Sequence, residues 1–84
     1  MADTDLRDLL ILLRAGQWTQ AHDRVQHHEG LLAAWLHGLL HLQEGDLEDA
    51  ENWHERAGQH FRQRGTLDEE LDRFEAALNA RSKP

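Results

Sequence analysis

Apolar residues recur along this chain at helical spacing. Leu6, Leu9, Leu10 and Leu13 form a stripe at i, i+3, i+4 and i+7, predicting a first helix from about Asp5 to Ala15. Thr4 or Asp3 is placed to cap it and Gly16 to stop it. Ile11 and Leu12 widen its apolar surface beyond what one packing partner covers. A second helix is expected from Trp18 to His28, with Trp18, Ala21 and Val25 inward and Gly30 as its stop. Gln20, Asp23, Arg24 and Gln26 then face solvent.

The third segment, Leu31 to Glu44, is apolar nearly all round and belongs in the middle of a stack. Leu32, Trp35, Leu36, Leu39, Leu40 and Leu42 leave a narrow polar strip through His37, His41 and Glu44. Gly38 costs about 1 kcal/mol relative to alanine inside a helix, which implies close approach of a neighbouring backbone. Helix four is expected to open at Leu47 behind an Asp46 cap, with Glu48 and Asp49 at the positive end of its dipole. Its inward positions are Leu47, Ala50, Trp53 or His54, Ala57 and Phe61, with a kink at Gly58 and an end at Gly65. Thr66-Leu67-Asp68-Glu69 reads as a capping box, and Leu67, Leu71, Phe74 and Leu78 give the fifth helix its stripe. The expected whole is one all-α domain over residues 1–80, with a disordered tail at 81–84.

Composition narrows the function classes. A chain of 84 residues has room for one core. The charge of −7, with Lys83 the one lysine and the arginines scattered among sixteen acids, argues against binding nucleic acid or an anionic membrane surface. The longest apolar run, Leu9 to Leu13, is too short to span a bilayer, and the acidic N-terminus does not open like a secretory signal, so a cytoplasmic location is the expectation. With no cysteine, disulfides and thiol chemistry are excluded. Seven histidines are the oddity: protonating all of them takes the formal charge from −7 to 0, which predicts a change of solubility or oligomeric state between about pH 7 and pH 5.5.

Gly16-Gln17-Trp18 followed by Ala21 echoes Gly45-Asp46-Leu47 followed by Ala50, as stacked helical hairpins would. At Gly38, Gly45, Asp46, Ala50 and Ala57 the chain resembles the tetratricopeptide repeat, well over residues 31–60 and weakly over 5–28. The two turn glycines stand 29 residues apart where that repeat has 34, no proline closes either hairpin, and His41 and His54 replace large aromatics. The string H-x3-H-x2-E-G-D-x3-A-x2-W-x2-R-A-G over residues 37–58 is also similar to that of a family of small uncharacterised proteins. The resemblance to the repeat implies stacked antiparallel hairpins with a C-terminal capping helix. It also implies a non-enzymatic module that binds a protein partner in a groove walled by Leu10, Leu13, Leu32, Trp35, Leu39 and Leu42. Such an apolar wall needs a cover: the fifth helix, a second subunit in a homodimer, or a partner.

The alternative is chemical. His37, His41 and Glu44, at i, i+4 and i+7, share one helix face and suit a divalent metal, with His54 as a fourth ligand, or a response to pH. Against this, imidazoles in a polar strip hydrogen-bond readily without metal, so neither a metal nor any cofactor is expected. No catalytic residues are expected either: Thr4, Thr19 and Thr66 sit near helix starts, and the paired acids occupy exposed first turns.

Overall fold

The computed structural model describes residues 2–82, and the side chains of 4–81. Five α-helices follow one another: α1 (Ala2–Arg14), α2 (Trp18–Val25), α3 (Leu31–Glu44), α4 (Leu47–Arg56) and α5 (Leu67–Ser82), with a 3-10 turn at Phe61–Gln63 before α5. α3 is the hub, packing most extensively on α4 and also against α1, α2 and α5. Leu36, Leu39 and Leu40 are fully buried, because neighbours lie on every side of this almost wholly apolar helix.

The α3–α4 hairpin is closed by local chemistry. Gly45 adopts φ +81°, and the amides of Gly45 and Asp46 return to the carbonyls of Leu42 and His41 at 3.1 and 2.9 Å. That pair of bonds satisfies the last carbonyls of α3 and requires a residue without a Cβ penalty at the left-handed position. Asp46 then accepts the Asp49 amide at 3.3 Å as the cap of α4. Across this two-residue bend the helices lie very close: a Cβ on Gly38 would come within 3.2 Å of the Ala50 carbonyl oxygen and 2.5 Å of His54 Nδ1. Gly38 is there to let α4 in.

α5 is opened by the expected capping box. The Thr66 amide donates to Glu69 Oε1 at 2.8 Å, and the Glu69 amide donates to the Thr66 hydroxyl at 3.2 Å. The bond from the Thr66 amide, with a further one from the Thr66 side chain, holds the Glu69 carboxyl below its usual pKa. Leu71, Phe74 and Leu78 are buried, and α5 packs across α1 and α3. Phe74 meets Trp35 edge to face, with ring centroids 5.5 Å apart. Arg14 pins the other side of the joint through Asp72 and Glu75, both at 2.9 Å.

The structure corrects several expectations. α1 starts at Ala2, so Asp3 and Thr4 lie within its first turn and not ahead of it. α2 ends at Val25, three residues before the expected His28, because the chain turns at Gln26–His27; Gly30 precedes α3 as its N-cap. α4 ends at Arg56, where Gly58 (φ +76°) closes it, and Phe61 belongs to the separate 3-10 turn. Trp18 and Leu47 were expected inward but are 40% and 55% exposed. Each is the first residue of its helix, and burial falls to the residues behind: Ala21 with Val25, and Ala50 with His54. Arg81 and Ser82 continue α5 into the segment expected to be a tail, while residues 83–84 lie outside the described residues. No helix among the described residues is long and apolar enough to cross a membrane.

Candidate metal centre

None of the six residues expected to wall a groove is exposed. Leu10, Leu13, Trp35 and Leu39 belong to the core, and Leu32 and Leu42 pack half-buried against it. α5 lies across α1 and α3, so in this chain the fifth helix covers that wall. Trp35, expected to be accessible, is 5% exposed, and its buried indole N–H has no acceptor.

The polar strip of α3 leads elsewhere. His37 and His41, one turn apart, stack with ring planes 7° from parallel and centroids 5.0 Å apart. α2 crosses this face on the small residues Ala21 and Val25, and His22 beside them is set edge-on against both α3 histidines. A ring nitrogen from each of His22, His37 and His41 lies within 4.8 Å of the other two. His37 and His41 are buried, and His22 is half-buried at the rim. His22 was not foreseen as part of a site, since its place depends on how α2 crosses α3. A sequence signal was present: it follows Ala21 and precedes Val25 by three, beside the buried face of α2.

Glu44 ties the cluster together. Its Oε2 lies 2.6 Å from His22 Nδ1, and its Oε1 lies 3.6 Å from His41 Nδ1. A carboxylate can only accept, so His22 Nδ1 carries a hydrogen and donates it. In a neutral His22 the Nε2 is then bare, and it accepts from His37 Nε2–H across 2.9 Å. His37 is held neutral: its pKa falls to about 4, first through burial and then because a charge on it interacts unfavourably with His22, His41 and Arg56. Trp53 lies flat on His37 at 3.9 Å, and the Arg56 guanidinium sits 4.6 Å from the indole centroid. His41 Nδ1 is buried without a hydrogen-bond partner.

A cleft of about 470 Å³ opens on the other side of His37, between the end of α2 and Trp53. Val25, Ala33 and Ala34 line it, with His28 and Glu29 also on its wall. It exists because α2 stops early and the residues on α3 beneath it are small.

His54, expected as the fourth ligand, is committed elsewhere. Its Nδ1–H donates to the Ala50 carbonyl at 2.8 Å, and its Nε2 lies 3.0 Å from Glu70 Oε1 on α5. Glu70 Oε2 accepts from Arg73 at 2.6 Å. Both ring nitrogens of this fully buried histidine are therefore used. His27 and His60 are exposed, and His28 faces Asp5 at 3.3 Å.

The cluster offers borderline nitrogen donors and one carboxylate, a set that suits zinc, nickel or copper more than magnesium or calcium. A ligating histidine whose second nitrogen donates to a carboxylate is the usual arrangement around such ions, and His22 with Glu44 has it. Ligands on a tetrahedral ion stand about 3.3 Å apart, so His22 and His37, at 2.9 Å, would have to part slightly to hold one between them. No family model matches the chain, and comparisons with curated proteins and with solved structures return no match.

Proposed function

We propose that this protein binds a divalent transition-metal ion at His22, His37 and His41, with Glu44 orienting His22. The observation that carries this reading is the convergence of three imidazoles, with one ring nitrogen of each within 4.8 Å of the other two, in a cluster where His41 Nδ1 is buried without a hydrogen-bond partner. Buried polar atoms are rarely left without a partner, and a bound ion is one explanation of an exception. Trp35 Nε1 and Gln43 Oε1 are also buried and unpartnered, but neither belongs to a cluster of metal-ligating groups among the described residues. The reading adds His22 to the α3 pair and drops His54.

Thermal unfolding with and without Zn²⁺ tests it. A ligand of the native state alone stabilises by about 2.7 kcal/mol at a hundredfold excess over Kd. His22→Ala should abolish that shift, whereas His60→Ala, at an exposed position, should leave it intact. Equal shifts in the wild type and His22→Ala would mean that zinc collects on surface histidines, and the proposal would fall.

A second reading, as a protein-interaction module or homodimer, draws on exposed apolar side chains rather than on the covered wall. Ile11, Trp18, Leu31 and Leu47 are between 40% and 66% exposed, and Trp18 and Leu47 open the second helix of their respective hairpins. Sedimentation of the wild type beside Trp18→Ser/Leu47→Ser checks it: a dimer lost in the double variant supports this surface, and a monomer throughout removes the homodimer.

A further inference from the structure

The imidazole cluster is largely buried, so an ion needs a way in, and the bend between α3 and α4 supplies graded donors. Asp49 is exposed, Asp46 half-buried, and His41 only 8% exposed. One donor atom from each of these three residues lies within 4.8 Å of the other two. Asp46 Oδ1 caps α4 through the Asp49 amide, while Oδ2 faces His41 Nδ1 at 3.7 Å. Glu44 Oε1 faces the same nitrogen at 3.6 Å. Both distances are too long for hydrogen bonds and are a few tenths of an ångström above the roughly 3.3 Å that separates two ligands on one tetrahedral ion.

First-turn acids alone are explained by the helix dipole. What singles out this turn is the unpartnered, buried His41 Nδ1 aimed into it. The bend enforces that juxtaposition: the Asp46 amide is bonded to the His41 carbonyl at 2.9 Å, so the two residues are neighbours by backbone geometry.

We propose that His41, Asp46 and Asp49 form an entry seat through which a divalent ion passes to the three-imidazole site, with His41 common to both. A neutral imidazole has one lone pair, so His41 completes one donor set at a time. Occupancy of the two seats is therefore sequential. The oxygen-rich outer seat takes a hydrated ion readily, and the nitrogen-rich inner seat holds a borderline ion more tightly. This inference rests on the metal-binding reading above.

The test is the rate of loading. Trp53 stacks on His37, so Zn²⁺ arrival at the inner site can be followed by stopped-flow tryptophan fluorescence. The variant is Asp46→Asn/Asp49→Asn, because asparagine caps a helix as well as aspartate and the bend is retained. Glu48→Gln/Glu55→Gln removes the same charge from exposed positions of α4 and serves as the control. A passage seat speeds entry and exit alike. The double Asn variant should therefore load and release zinc at least tenfold more slowly, with Kd within about threefold of wild type. The glutamine control should load at nearly the wild-type rate.

Wild-type rates in the double Asn variant would overturn the entry seat and leave the inner site standing. Slower loading with unchanged release, or an equal effect in the glutamine control, would reduce the turn to electrostatic steering and overturn it too. Zinc binding lost in the double Asn variant but kept in His22→Ala would place the ion at the turn itself and end both proposals. A wild type that shows no zinc response would remove the inner site, and the entry role with it.

Discussion

His41 on α3 and His54 on α4 are both more than nine-tenths buried, and both face a carboxylate. Their surroundings close differently. Around His54 every polar atom has a partner in the chain: Ala50 and Glu70 take the two ring nitrogens, and Arg73 takes the remaining Glu70 oxygen. Phe61 closes over the imidazole edge to face at 5.0 Å. Around His41 the nearest carboxylate oxygens stop at 3.6 and 3.7 Å, and Nδ1 is left without a bond. The first arrangement is complete as it stands and fastens α4 to α5. The second leaves a buried ring nitrogen unbonded. Buried histidines are therefore told apart by an account of their hydrogen bonds, not by burial or by the presence of an acid nearby.

The largest expected effect tests the closed side. Removing His54 empties a fully buried position and leaves Glu70 Oε1 without its bond, which together cost several kcal/mol. His54→Ala should lower stability by about 3 kcal/mol, read from the urea midpoint at constant m-value. A loss below about 1 kcal/mol would mean that Glu70 is served by Arg73 and water alone, and the contrast between the two histidines would collapse.

Gly38→Ala probes the contact that both regions share. The added Cβ would meet His54 Nδ1 at 2.5 Å and the Ala50 oxygen at 3.2 Å. His54 cannot swing away without giving up its bonds to Ala50 and Glu70. Overpacking of this kind costs about 2 kcal/mol, and chemical denaturation should show it. A neutral or stabilising outcome, as expected for an ordinary helical glycine, would show that α3 and α4 can separate freely.

The open side should reveal itself through pH. His37 titrates near pH 6.5 when unfolded but only at about 4 in the native state. Above pH 6.5 both states are neutral and the group contributes nothing. Between 6.5 and 4 the unfolded chain takes up a proton that the folded chain refuses, so stability falls as pH falls. The groups around it reinforce this, since His22, His41 and Arg56 each disfavour a charge on His37. The loss should amount to about 2 kcal/mol once solvent screening is allowed for. Comparing denaturation at pH 7 and pH 4.5 in the wild type and His37→Gln isolates it, because the variant lacks this part of the slope. Parallel curves for the two proteins would place the titrating group elsewhere.

Local chemistry explains what was legible in the sequence. α3 appears within its observed bounds, and the Gly45-Asp46 bend and the Thr66–Glu69 capping box follow from residues a few positions apart. Gly38 facing Ala50 was legible because glycine inside so apolar a helix needs a packing reason. What escaped depends on contacts between distant segments. His22 joins the site only because α2 crosses α3 on Ala21 and Val25. His54 leaves it because Glu70, 16 residues on, comes up beneath α4. Trp35 looked accessible while α5 had no fixed place, and Phe74 now covers it. Helical periodicity identifies which face is buried but not which neighbour buries it.

The smallest expected effect runs opposite to the first and sharpens the contrast most. A buried donor or acceptor left unmade costs free energy, whereas an apolar side chain of similar volume avoids that cost. His41→Leu should therefore raise the stability of the metal-free protein by about 1 kcal/mol while abolishing its response to zinc. A structural histidine behaves like His54, whose loss weakens the fold. A histidine retained for binding costs stability until its ligand arrives. Denaturation of the metal-free His41→Leu protein, beside a zinc titration of the same sample, reads both quantities. If the substitution destabilises by an amount comparable to His54→Ala, His41 is a packing residue whose unpaired nitrogen carries no functional meaning, and the three-imidazole assignment goes with it.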